Sequence, residues 1–139
     1  QLAAGCLAIG QGTGSERLTA GDREGATLKK LHLALSTNNV DESVKDYSVR
    51  LGIQPCAVIQ NEYALWRTES LNVSIRHDPQ CKGGVLRHLG WEDPSASKFS
   101  HETDVNGIVW ERFTAEQQAN EINELWPDAR YQAEKSNGA

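Results

Sequence analysis

Leu31-His32-Leu33-Ala34-Leu35-Ser36-Thr37-Asn38-Asn39-Val40-Asp41-Glu42-Ser43-Val44-Lys45-Asp46-Tyr47 is the stretch that decides the fold. Its first five residues alternate. Leu31, Leu33 and Leu35 share one face of a strand, and His32 and Ala34 take the other. Asn38-Asn39 then offers side-chain oxygens to cap a helix, and Asp41 and Glu42 suit its positive N-terminal end. Val40, Val44, Tyr47 and Leu51 form one helical stripe, with Gly52 placed to close the helix and Pro55 to bar its continuation. A strand followed by an amphipathic helix is the expected start of the fold.

Three further strands are expected: Cys56 to Ile59, Tyr63 to Thr68, and Leu71 to Arg76. In the last, Leu71, Val73 and Ile75 face one way, while Asn72, Ser74 and Arg76 face the other. A polar face opposite an apolar one predicts a sheet with one side on the helix and the other bordering a wet cavity. The linker Asp78-Pro79-Gln80-Cys81-Lys82-Gly83-Gly84 leads to a second segment. It opens with a strand from Val85 to Trp91, crosses a Pro/Ser-rich stretch from Asp93 to Ser97, and returns as Gly107 to Phe113. Thr114 is placed to cap a last helix with the stripe Ala115, Ala119, Ile122 and Trp126, ended by Pro127. The fold class is α+β.

Outside this body the signals weaken. Six of the 12 glycines fall within the first 25 residues, with neither period and no aromatic residue, so residues 1–29 are expected to be a tail without fixed structure. Residues 128–139 read as a polar, frayed tail, which leaves 30–127 as the domain of a 139-residue chain. Nineteen acidic residues against 14 Lys and Arg give a net charge of −5, and no basic stripe exists to follow nucleic acid. No apolar run approaches the roughly 18 residues of a membrane span. Cys6, Cys56 and Cys81 are odd in number and lack C-x-x-C spacing, so a reducing compartment, the cytoplasm, is expected.

Of four histidines, His77 and His101 sit in polar surroundings and read as solvated. His32 and His88 each lie mid-strand beside leucines, so each imidazole projects from the face the leucines leave. Glu111, inside Val109-Trp110-Glu111-Arg112-Phe113, does the same, and a carboxylate among aromatics needs a partner or a metal. Two neutral imidazoles and a carboxylate are the ligand set of a facial metal site with open positions. The competing reading is three half-buried polar residues satisfied by separate hydrogen bonds.

The opening stretch, closed by Leu51-Gly52, resembles the start of the vicinal oxygen chelate superfamily, which includes glyoxalase I, extradiol dioxygenases, thiol transferases and bleomycin-binding proteins. Arg87-His88-Leu89-Gly90-Trp91-Glu92 is similar to its fifth strand, and Asp104-Val105-Asn106-Gly107-Ile108-Val109-Trp110-Glu111 to its closing turn and strand, with Val105 where Pro is usual. Leu51 to Ile75 looks most like the cadmium-induced and organoarsenical-lyase branch, although that branch's vicinal cysteine pair has no counterpart here.

The resemblance implies βαβββ modules forming a curved mixed sheet with helices on its convex face. One module, 30–77, is complete; the second, 85–114, is shortened, with His88 and Glu111 only 23 positions apart and no helix between them, and a C-terminal helix spans 115–127. A homodimer, with strands exchanged between copies as one form, would complete such a sheet. The implied metal ligands are His32, His88 and Glu111, with Glu111 also catalytic, around Fe, Mn, Zn or Ni. Arg67 and Arg76 are candidates to hold a substrate carboxylate, and Trp91 to line the pocket. The implied function is a divalent-metal-dependent enzyme, a lyase, isomerase, thiol transferase or dioxygenase, acting on a small oxygen-rich molecule. The alternative is a non-catalytic protein that sequesters a drug-like ligand, as in bleomycin resistance.

Overall fold

The alternating stretch forms β1, Lys30–Thr37, and it is the hinge of the whole sheet. The computed structural model describes residues 28–133, so the expectation of a loose tail at 1–29 falls almost wholly outside the described residues. β1 pairs in parallel with β4, Leu71–His77, and antiparallel with β5, Gly84–Glu92. A parallel pair needs a long crossover. Here it consists of α1, Val40–Leu51, then β2, Ala57–Ile59, and β3, Tyr63–Arg67. Beyond β5 come β6, Ser100–Thr103, and β7, Val109–Phe113, followed by α2, Ala115–Leu125. The described chain is therefore α+β, a seven-stranded mixed sheet in the order β2-β3-β4-β1-β5-β7-β6 with two α-helices.

Both helices begin on the predicted caps. The Asn39 side chain accepts from the Glu42 N–H at 3.1 Å, and Gly52 ends α1 in the left-handed conformation at φ 69°. Thr114 and Gln117 form a reciprocal capping box at the start of α2. α1 lays Val44, Tyr47 and Leu51 against Leu33, Leu35, Ala64, Trp66, Val73 and Ile75. Trp66 is completely buried there and its indole N–H donates to the Ser48 hydroxyl at 3.2 Å. Full burial of an apolar side chain contributes on the order of 3 kcal/mol. One such residue is a sizeable part of a domain's net stability.

α2 covers the opposite face, where Ile122 packs with Ala57, Tyr63 and Leu65. The two helices thus lie on opposite faces and not together on one. β3 is the cause: Tyr63 and Leu65 point to one side, Ala64 and Trp66 to the other, and all four are buried. A strand apolar on both faces needs a cover on each.

Three other features depart from the sequence expectations. β6 was not foreseen, because Ser-His-Glu-Thr has no apolar alternation to mark an exposed edge strand. The chain after 127 is not frayed through 133: a short turn at Pro127–Ala129 and Arg130 at φ 46° bring it back. Tyr131 then exchanges two 2.8 Å hydrogen bonds with the Asn123 side chain. Finally, the face shared by Leu33, Leu89 and Trp110, and by Leu31, Trp91 and Arg112, lies under α1 only at its β1 end. No helix occupies the stretch between β5 and β6 that would cover the rest. Among the described residues no helix is long and apolar enough to cross a membrane.

Candidate metal centre

Sheet register decides which side chains meet on the face under α2. Paired residues on neighbouring strands share a face, so His32 stands with Asn72 of β4 and Gly90 of β5, and Gly90 stands with Glu111 of β7. His32, Gly90 and Glu111 therefore form one row across three strands. Gly90 has a specific reason to be glycine: a Cβ there would collide with the Glu111 carbonyl and lie 3.1 Å from its nitrogen. His88 pairs with Ala34, one step along the same face.

The three predicted ligands converge. His32 Nε2 lies 3.0 Å from His88 Nε2, which lies 3.0 Å from Glu111 Oε2. One ligand atom from each falls within 4.8 Å of the others. Adjacent ligands of an ion bonded at roughly 2.1 Å sit about 3 Å apart, so the donor set and its spacing fit a divalent cation. The three side chains face one another, and His32 has in addition a hydrogen bond of its own to Asn72.

The protonation state of His32 is set from behind. Its Nδ1 lies 2.8 Å from Asn72 Oδ1. The Asn72 amide nitrogen donates to Glu92 Oε1 at 2.9 Å and to Gln118 Oε1 at 2.8 Å, which fixes Oδ1 as the acceptor end. Nδ1 of His32 must then carry the proton, leaving the Nε2 lone pair toward His88 and Glu111. Glu92 is gripped in turn by Arg67, through contacts of 2.7 and 3.0 Å. Burial would raise the Glu92 pKa, but hydrogen bonds from Arg67 and Asn72 and the Arg67 charge outweigh it and hold the carboxyl below its usual value. His32 itself is pushed down to about 4, chiefly by burial and further by His88, against the opposing hydrogen bond to Asn72. It is a neutral imidazole near neutral pH. The Phe113 ring meets His32 edge-on at 4.9 Å and stacks on Phe99.

In front of the ligands a cavity of about 270 Å³ opens between the sheet and α2. Ser74 and Arg76 line it, as the alternation of β4 predicts, and Asn72 on the same face is instead sealed beneath Gln118. Arg76 also stands 5.5 Å over the Trp126 ring. Arg67, considered for substrate binding, is not in the cavity, since its guanidinium is committed to Glu92. Trp91 lies on the opposite face beside Trp110, because strand alternation turns it away from Gly90.

Sequence reasoning missed Arg87. Ala34 pairs with His88 but Leu35 pairs with Leu86, so Arg87 is the extra residue of a β-bulge. The bulge lets consecutive residues Arg87 and His88 both line the cavity. Gln118 and Glu121 of α2 were also missed, because helix periodicity marks an apolar stripe and not the polar groups beside it. Neither a protein-family model nor a curated protein matches this chain.

Proposed function

We propose that the protein is a divalent-metal-dependent enzyme of the vicinal oxygen chelate type, acting on a small oxygen-rich molecule held between the sheet and α2. The convergence of His32, His88 and Glu111 on the cavity wall, with the His32 lone pair turned toward the others, carries this reading. These three residues would hold Fe, Mn, Zn or Ni, and the βαβββ arrangement of β1 to β4 is the module that the resemblance implies. When bound, the ion would supply Lewis acidity to two substrate oxygens. With two neutral imidazoles and one carboxylate, a divalent ion keeps a net charge of +1, which favours an anionic ligand.

The chain's own groups do the remainder. Asn72, Glu92 and Arg67 keep the His32 tautomer and ring plane fixed. Glu111 would serve both as a ligand and as the group that accepts a substrate proton. Phe99 and Phe113 would give the substrate an apolar wall beside the ligands. The reaction class stays among lyase, isomerase, thiol transferase and dioxygenase. A homodimer and a cytoplasmic setting are part of the proposal; the sheet face around Trp91 and Trp110, uncovered where a second-module helix would sit, supports the first.

Protein stripped by chelator and then loaded with Mn(II) or Ni(II) should bind acetohydroxamate, a bidentate oxygen ligand, whereas stripped protein should not. Equal binding by both forms would favour a metal-independent sequestering protein of the bleomycin-resistance kind.

A further inference from the structure

Two arginines face the same cavity and neither forms an ion pair. Arg76 reaches it from β4 and Arg87 from the bulge of β5. The other arginines of the sheet and of α1 are paired: Arg67 with Glu92, Arg112 with Asp93, Arg50 with Asp46. Among the described residues, neither Arg76 nor Arg87 has a carboxylate oxygen within 4.0 Å. Arg87 goes further, since its Nε is buried and has no hydrogen-bond partner at all. Leaving a charged donor buried and unsatisfied is costly, and a native structure does so where something else supplies the acceptor.

The surroundings agree with an absent anion. An anion held by the two guanidiniums would supply the acceptor that the buried Arg87 Nε lacks. Glu121 of α2 also lines the cavity, but its carboxylate forms no ion pair with either arginine within 4.0 Å. The fork of a guanidinium matches the paired oxygens of a carboxylate or phosphoryl group. The Arg76 guanidinium is steadied over the Trp126 ring.

We infer that Arg76 and Arg87 form an oxyanion-binding subsite beside His32, His88 and Glu111, so that the substrate carries a carboxylate, phosphate or phosphonate group in addition to its chelating oxygens. This deepens the proposed function, but the subsite is built from arginines alone and binds its anion without metal. Two guanidiniums set against Glu121 add positive charge to the cavity beside the ligand triad. The ligand is thus a small molecule with an acidic group in addition to its chelating oxygens. An apolar drug-like molecule does not fit this charge.

The test is titration of the full chain, metal-stripped and Mn(II)-loaded, with inorganic phosphate and with acetate, followed by calorimetry. Arg76→Met, Arg87→Met, the double variant and the surface control Arg50→Met are compared, with circular dichroism checking the fold. Loss of one charge-assisted contact should weaken phosphate binding to stripped protein about tenfold or more, the double variant should lose it, and Arg50→Met should match wild type. The arginine variants should keep their full metal content. A protein that takes up no metal yet shows this arginine-dependent response keeps the subsite and loses the metal reading. The inference is overturned if wild type shows no oxyanion binding in either form, or if the folded double variant binds phosphate within twofold of wild type.

Discussion

At Asn72 one side chain determines how a histidine presents itself. Its amide is completely buried and meets His32, Glu92 and Gln118, three partners from three different elements. Because Glu92 is a pure acceptor, the amide has one orientation, and the His32 tautomer follows from it. Asn72→Leu should keep the fold near its native volume yet lower metal affinity about 10- to 100-fold, measured by competition with a chromophoric chelator. An unchanged affinity would mean that the tautomer is set elsewhere. His32 was legible in the sequence because leucines on either side claim the other face. The role of Asn72 was not, since alternation shows which face a residue takes and not which neighbour the parallel β1–β4 register brings beside it. Arg67 lies outside the cavity for the same reason: nothing local announces that Glu92, three strands away across the sheet, is its partner.

Among the elements, β5 carries the most function for its length. It contributes His88, the bulged Arg87, the glycine that admits Glu111, and Glu92 at its end. Leu89 and Trp91 on one face made it readable as a strand, but the bulge was hidden, because one inserted residue changes no composition and only shifts which residues share a face. Gly90 is the element's tightest point. Gly90→Ala should push β7 away from β5, destabilise the protein by about 1–3 kcal/mol in a denaturant titration, and reduce metal uptake by displacing Glu111. If the variant matches wild type in both, the close approach of the two strands has no importance. α1 and α2 were legible from their caps and stripes. That they lie on opposite faces was implicit in β3, whose Tyr63-Ala64-Leu65-Trp66 run is apolar in both directions. β6 left no trace to read, being four polar residues paired only along one edge.

Across the described chain, β5, β6 and β7 repeat the pairing of β1, β3 and β4, a parallel pair with one antiparallel neighbour, but with a loop after β5 where α1 follows β1. With no helix there, Trp91 and Trp110 stand on an open face, with Trp91 38% exposed. Sedimentation velocity at micromolar concentration should therefore give a dimer, and Trp91→Lys should shift it toward monomer; a wild-type monomer would remove the second copy from the account.

The central claim is that His32, His88 and Glu111, drawn from three strands of one sheet, hold a divalent ion. Metal analysis of the purified protein after reconstitution with Fe, Mn, Zn or Ni tests it most directly, beside His32→Ala, His88→Ala and Glu111→Ala. The account predicts close to one ion per chain in the wild type and loss of that ion in each folded variant. A wild type that stays metal-free with all four ions, or variants that retain the ion, would contradict it.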